Sequence, residues 1–357
     1  MLKVRSLGIR GKLADWIHDF ISGRKQRVCI KDNKSSWADV TSGVPQGSVL
    51  GPLLFVIFIN DLPEVVDCLV KLYADDTKIY QIINNTDDAE RFQQNIKQLW
   101  KWSIEWQLKF HPDKCHILHL GKTNGNHHYY TGEEHRTDLE STEEEKDLGV
   151  LIDTKLNFSS QCDKIVTTAN KLLGIMRRSF THLDKVNFCL IYKAIIRPVI
   201  EYASSVYDPI LMKDMNKIES IQRRATKMVQ GLQDKSYEDR LKYLDLPSLR
   251  FRRVRGDMIN VYKYVHEVYK VDSSHLLPLN DTNRTRGHPF KLKATNCKSR
   301  ERLHFFTQRV INKWNNLSPD TVCAISVDAF KNKLDNEWKD REGKHNFTST
   351  WFENWRH

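Results

Sequence analysis

The sequence predicts an α+β chain in which a half of mixed strands and helices is followed by a helical half. Up to about residue 120, short apolar stretches bounded by turn residues alternate with segments of helical period. Beyond 161 the apolar positions recur at three- and four-residue steps. The 357 residues are 40% hydrophobic and 10% aromatic, which is enough apolar material for real cores.

Taken in order, 11–21 places Leu13, Trp16, Ile17 and Phe20 at helical steps, and Gly23 ends that helix. Residues 26–30 and 36–41 pair as strands around a turn at Asp32-Asn33. A loop at 43–48 leads into the apolar run 49–59, whose length fits a buried helix. Strands at 69–74 and 77–82 flank Asp75 and Asp76. Asp87 with Glu90 forms a capping-box start for a helix over 87–110 that carries Phe92, Ile96, Leu99 and Trp106. A strand follows at 116–120, then a polar loop or hairpin at 121–146 that links two regions. After 148–153, helices are expected at 162–181, at 186–196 before Pro198, and at 212–229. In the last, Met215, Ile218, Ile221, Ala225 and Met228 form a core stripe, with Lys217, Arg223, Arg224 and Lys227 elsewhere on the surface. Residues 280–296 read as a turn-rich linker and 301–338 as a small helical tail.

Several function classes find no support. The longest apolar run, 49–59, is about half of a membrane-spanning helix, and Met1 is followed by Leu2-Lys3-Val4-Arg5 rather than a signal peptide. A soluble intracellular protein with no membrane partner is expected, nucleus and cytoplasm being indistinguishable. Seven cysteines, never in a C-x-x-C pair, read as reduced packing residues. No zinc is expected at Cys115, His116, His119, His127 and His128, because no second well-spaced pair completes a tetrahedral set. No nucleophile elbow, P-loop or Rossmann fingerprint occurs.

The net charge of +11 favours a polyanionic partner. Residues 161–270 hold 21 Lys and Arg against 12 Asp and Glu, so most of the excess sits in one segment, as a surface that tracks phosphates requires.

The sharpest local feature is "KLYADDTKIY" at 71–80. Two carboxylates about 4 Å apart repel by about 1 kcal/mol in water and about 4 kcal/mol at an effective dielectric near 20. A divalent cation removes that penalty, and Mg²⁺ is held by one or two carboxylates with substrate phosphates completing its shell. Two such ions stabilise the attacking and leaving oxygens of a phosphoryl transfer. Asp-Asp is also common at exposed hairpin tips, where both side chains are simply solvated. On these residues alone both readings stand.

"GVPQGSVLGPLLF" at 43–55, "YADD" at 73–76 and "HPDKC" at 111–115, in this order and spacing, resemble the reverse transcriptases of non-long-terminal-repeat (LINE-like, jockey-like) retrotransposons. "LGIRGKLADWIHDFISGRKQRV" before them, "DLGVLIDTKLNF" after them and the stretch around "IESIQRRATKMVQGL" extend the resemblance through most of the chain. It implies a right-hand polymerase fold: a partial palm at 1–121, a connecting loop and primer-grip-like hairpin at 122–160, a basic helical thumb at 161–279, and a linker with a small helical C-terminal region at 280–357. It also implies RNA-directed DNA polymerase activity with Mg²⁺, or Mn²⁺ in its place, and as partners an RNA template, a DNA primer, their duplex and deoxynucleoside triphosphates.

By the same resemblance Asp75 is a metal ligand and Asp76 its supporting carboxylate, and Tyr73 borders the primer end. Pro45, Gln46 and Gly47 border the template base, where Gly43 and Gly47 permit close approach. Lys114 faces the pyrophosphate leaving group. Arg223, Arg224 and Lys227 contact duplex phosphates.

The family also uses a third aspartate on a strand upstream of the helix at 11–21, for which the sequence has no counterpart. Three outcomes are therefore expected: a palm and thumb portion that does not polymerise as the isolated chain, a nucleic-acid-binding remnant that uses the basic thumb, or a fragment that does not fold stably.

Overall fold

The computed structural model describes residues 1–132, 136–280 and 287–353. They form two compact units, Met1–Thr142 and Glu143–His357.

In the first unit the helix Gly11–Ile21 forms where its period places it, but it buries Ala14 and Ile17 while Leu13 and Trp16 stay about half exposed. The expected strand pair is two short ribbons, Lys25–Gln26 with Ala38–Asp39 and Cys29–Ile30 with Asn33–Lys34. The apolar run becomes the helix Leu50–Ile59, though not a buried one. Gly51, Leu54 and Ile59 face the cores, while Leu53 and Val56 remain more than half exposed. An all-apolar sequence carries no information about which face turns inward.

The strands Leu69–Tyr73 and Asp76–Tyr80 form the expected hairpin. Behind it runs the helix Thr86–Glu105, whose cap corrects the expectation. The Asn85 side chain, not Asp87, accepts the first bond, from the Asp88 backbone N–H at 2.9 Å. Val70, Leu72 and Ile79 of the hairpin pack with Leu99 and Trp102 of this helix and with Phe55, Phe58 and Ile59. Lys3 anchors the N-terminal helix Leu2–Ser6 to the same core: its ammonium lies 3.7 Å from the Trp106 ring centroid and 2.6 Å from Asp61.

The stretch expected to be a polar loop or hairpin at 121–146 contains a hairpin and adds further strands. Tyr130–Thr131 pairs with Thr137–Asp138, and Glu140–Thr142 lies parallel to His116–Leu118. Each of these strands is two or three residues long, too short for alternation to show.

The second unit opens on the hairpin Glu144–Asp147 and Val150–Asp153, joined by Leu148 and Gly149 at φ 43° and 88°. Positive φ at both loop residues matches the twist of a two-residue hairpin. Tyr202 Oη donates to the Leu148 carbonyl and Lys164 Nζ to that of Gly149, each at 2.7 Å, so the tip is fastened to helices. The helix Ser159–Ser179 packs along Met212–Thr226, and of the expected stripe Ile218, Ile221 and Ala225 are interior while Met215 and Met228 at its ends are half-buried. The helix expected to stop before Pro198 continues. Lys185–Ile191 passes through a π-helical segment, Tyr192–Ile196, into Arg197–Glu201, and the wider turn accommodates the proline.

Two helices were not legible in the sequence, Tyr237–Leu244 and Leu249–Val265. The second is the axis of a separate core of Phe251, Met258, Val261 and Tyr262 with Trp314, Phe330 and Leu334 from the C-terminal helices. The described part of 280–296 is tied to this core by Leu292, which exchanges hydrogen bonds with the Asn315 side chain at 2.8 and 2.9 Å. Residues 281–286 of that stretch, and 133–135 within the 121–146 segment, lie outside the described residues. Cys29 and Cys323 are exposed rather than packed, and all seven thiols are free.

Candidate active site

The hairpin register determines what its tip can do. Tyr73 lies directly opposite Asp76, so Ala74 and Asp75 make the entire reversal, with Ala74 in the left-handed region at φ 51°. Side chains alternate between faces along each strand. Val70 and Leu72 point to the core with their partners Ile79 and Thr77, which leaves Tyr73 and Asp76 on the outer face. Tyr73, Asp75 and Asp76 are exposed, and neither carboxylate joins an ion pair among the described residues.

The same register brings out two residues that were not singled out in the sequence. Lys71 and Lys78 are paired across the hairpin on the outer face, one pair removed from Tyr73 and Asp76. A period of two along "KLYADDTKIY" would have located them. They place two cations beside the acidic tip.

Polar contacts behind the tip hold it in place. The Gln81 side chain donates to the Asp88 carbonyl at 2.7 Å, and Asn95 donates to Gln81 at 3.3 Å while accepting from the Asp67 N–H at 3.1 Å. Asn95 is buried, so the hairpin base is locked to the long helix by apolar and polar contacts together.

The loop with Pro45, Gln46 and Gly47 sits at the N-terminal end of the helix Leu50–Ile59. Arg24 donates to the carbonyls of Ser42 and Gly43 at 3.2 and 2.6 Å, Ser48 Oγ donates to the Pro45 carbonyl at 2.7 Å, and the Gly51 N–H donates to Ser48 Oγ at 3.0 Å. Gly43 and Gly47 both have positive φ. Gln46 and Gly47 are exposed and Pro45 half-buried, so the loop presents backbone and an amide side chain to solvent.

Lys114 ends the 3₁₀ turn Pro112–Lys114 between the long helix and the strand His116–Leu118, and it is exposed. In the second unit Arg223, Arg224 and Lys227 are exposed on and just beyond the end of Met212–Thr226. They differ in freedom. The Arg223 guanidinium lies 5.2 Å from the Tyr237 ring centroid and 5.5 Å from that of Phe347, whereas Arg224 makes only 3.4 Å contacts with Ser220 of its own helix.

Two adjacent, solvent-facing carboxylates are hard oxygen donors of the kind Mg²⁺ takes, and they fit as part of a shell rather than all of it. Among the described residues no group of three or more His, Cys, Asp or Glu side chains is gathered in metal-binding fashion. No described helix is long and apolar enough to cross a membrane.

Residues 2–172 match the family described as reverse transcriptase (RNA-dependent DNA polymerase). The chain is 30% identical over 250 residues to the RNA-directed DNA polymerase from mobile element jockey of Drosophila funebris, covering 65% of this chain and 26% of that protein. It is 27% identical over 245 residues to the jockey polymerase of Drosophila melanogaster, covering 60% of this chain and 25% of that one. A probable RNA-directed DNA polymerase from transposon X-element of the same fly is 25% identical over 225 residues, covering 60% and 24%. The chain thus spans about a quarter of the length of these curated relatives.

Proposed function

Because residues 2–172 belong to the reverse transcriptase family, we propose that this chain is a palm and thumb portion of an RNA-directed DNA polymerase of a non-LTR retrotransposon. The observation that carries this reading is the hairpin register. A two-residue turn places Asp75 at the tip and Asp76 opposite Tyr73, all three exposed on a hairpin locked from behind.

Reverse transcriptases as a class work with divalent metal ions. In this reading Asp75 and Asp76 hold Mg²⁺ or Mn²⁺, which when bound would neutralise charge on the reacting phosphates. Tyr73 offers a ring to the primer end. The backbone around Pro45, Gln46 and Gly47, fixed by Arg24 and Ser48, borders the template base. Lys114 supplies a cation to the leaving pyrophosphate. Lys71 and Lys78, paired on the outer face beside the tip, are cations available to a primer phosphate, and Arg224 and Lys227 are assigned to duplex phosphates on the thumb. The substrates are an RNA template, a DNA primer and deoxynucleoside triphosphates.

Two carboxylates are one fewer than the family's metal site uses. The isolated chain is therefore expected to bind the metal weakly and not to extend a primer. Titration of the full chain with Mn²⁺, followed by electron paramagnetic resonance, tests the first point. Binding lost in the Asp75→Asn/Asp76→Asn double variant supports the site, and equal binding by both proteins refutes it. Extension of a DNA primer on RNA by the chain, abolished in Asp75→Asn, would overturn the second point.

A second reading, of a different class, has the chain bind nucleic acid without catalysis. The exposure of Arg224 and Lys227, free of carboxylate partners among the described residues, favours it. Salt-dependent binding that is indifferent to Asp75→Asn would support it.

A further inference from the structure

We propose that a cavity in the second unit is a binding site for a phosphate group carried on a small molecule, a function beyond the polymerase reading above. The cavity measures about 330 Å³ and lies among the helices Met212–Thr226 and Leu249–Val265 and the segment 300–313. That volume is at the lower end of small-ligand pockets, roughly 300 to 1,000 Å³.

Its lining holds five Arg and Lys side chains against three carboxylates. The carboxylates have partners. Asp257 accepts from Arg309 Nε and Nη2, at 2.8 and 3.1 Å. Glu219 accepts from Tyr237 Oη at 2.5 Å and from the Leu249 N–H, and Asp208 faces His304 at 3.9 Å. Arg253 and Lys313 are cations without such a match. Arg253 is 8% exposed, and its guanidinium lies 5.2 Å from the Tyr207 ring centroid with one hydrogen bond, at 3.5 Å to Tyr207 Oη, and no carboxylate at ion-pair distance. Lys313 has no hydrogen bond or ion pair to any described residue.

Neither the Arg253 nor the Lys313 nitrogens are among the buried atoms that lack a partner, so their unfilled donors open onto the cavity and are accessible to a ligand. Burial pushes Lys313 below the usual lysine range, against the opposing pull of Asp208 and Asp257. Carboxylates act on both from a distance, Asp208 and Glu219 on Arg253 and Asp208 and Asp257 on Lys313; a phosphate would supply what neither has at contact distance, several acceptor oxygens matched to the guanidinium fork. Phe347, Phe352 and Leu249 also line the cavity and give an apolar wall to the rest of the molecule.

The test is isothermal titration of the full chain with inorganic phosphate and with a nucleoside monophosphate at constant ionic strength. Saturable binding is expected for at least one. Tighter binding of the nucleotide identifies an organic phosphate, and equal binding identifies the phosphate group alone. Lys313→Gln should weaken binding by about tenfold or more, the loss of one charge-assisted hydrogen bond. Arg253→Gln should do the same if it folds, and phosphate should slow acylation of Lys313 in the native chain. No saturable binding up to roughly 10 mM, weaker than about −3 kcal/mol, or unchanged affinity in Lys313→Gln, overturns the proposal. Mn²⁺ binding at Asp75 and Asp76 is read separately, so either site can fail alone.

Discussion

Asp76 stands directly across the hairpin from Tyr73, and the reversal between them passes through Ala74 at φ 51°. A side chain with a Cβ in that region carries about 1 to 2 kcal/mol of strain. The turn keeps it because the hairpin behind is locked by Ile79, Leu99 and Asn95. Ala74→Val puts a β-branched residue there, so the first unit should lose about 1 to 3 kcal/mol in urea unfolding. Ala74→Gly should be close to neutral, because relief of strain is offset by the unfolded-state entropy of glycine. Equal effects for Val and Gly would show that the turn is not strained.

Gly51 makes a second test of how the site is held. A Cβ added there would meet the Pro45 carbonyl oxygen at 2.8 Å and Ser48 Oγ at 2.9 Å. These are the atoms that close the loop onto the helix. Gly51→Ala should therefore displace the Pro45 carbonyl and cost about 1 to 3 kcal/mol, as overpacking does. The change should appear in amide exchange at 43–48 before it appears elsewhere. Unchanged exchange with unchanged stability would mean that the helix shifts to admit the methyl.

These two positions also mark how far the sequence could be read. The Asp75-Asp76 tip and the Gly43–Gly47 loop were legible because turn chemistry is local: glycine at positive φ and short strands either side leave a pattern in consecutive residues. The stripe of Ile218, Ile221 and Ala225 was legible for the same reason at helical period. The exposed flank of Leu50–Ile59 was not, since every position there is apolar. Nor was the helix Leu249–Val265, where Arg250, Arg252, Arg253 and Arg255 interrupt the apolar period. Its arginines are paired with residues far along the chain, Arg252 with Glu201 and Arg255 with Asp335. Lys313 and Arg253 come to line one cavity only after such long-range packing, so nothing in their neighbourhoods announces it.

Glu219 offers a pH-dependent reading of the second unit. Burial pushes its carboxyl above the usual range, against the opposing effect of the Tyr237 hydroxyl and the Leu249 N–H. The folded carboxyl thus holds its proton to a higher pH than the unfolded one, which is near 4.5. Below that pH the two states are equally protonated and burial carries no charge penalty. As pH rises through the folded value the penalty is fully imposed, so this group's contribution to stability falls with pH. Wild type minus Glu219→Gln, measured by urea unfolding from pH 4 to 8, should decline and then level off. Tyr237→Phe should cost about 0.5 to 3 kcal/mol, because it removes a hydrogen bond to the buried carboxyl. A difference curve flat across the range would mean that Glu219 titrates as it does in the unfolded chain.

The three cations of the expected thumb surface should not behave alike. Arg224 is held only by long contacts to Ser220, and Lys227 lies just past the end of the helix Met212–Thr226, so both can turn to a phosphate at little cost. Arg223 is drawn over Tyr237 and Phe347 and would have to leave two rings to reach one. Binding of the full chain to an RNA–DNA duplex should therefore weaken with salt at a slope of roughly 0.9 per phosphate neutralised, taking the B-DNA value. Arg224→Gln and Lys227→Gln should each reduce that slope by about 1, whatever the duplex sequence. Arg223→Gln should change the slope less and instead lower the melting temperature of the second unit, because its cation–π contacts contribute about 0.5 to 1 kcal/mol each at exposed sites. Fluorescence anisotropy across a range of salt concentrations separates the two effects. Equal slope changes for all three would place Arg223 on the duplex and its ring contacts outside the bound state.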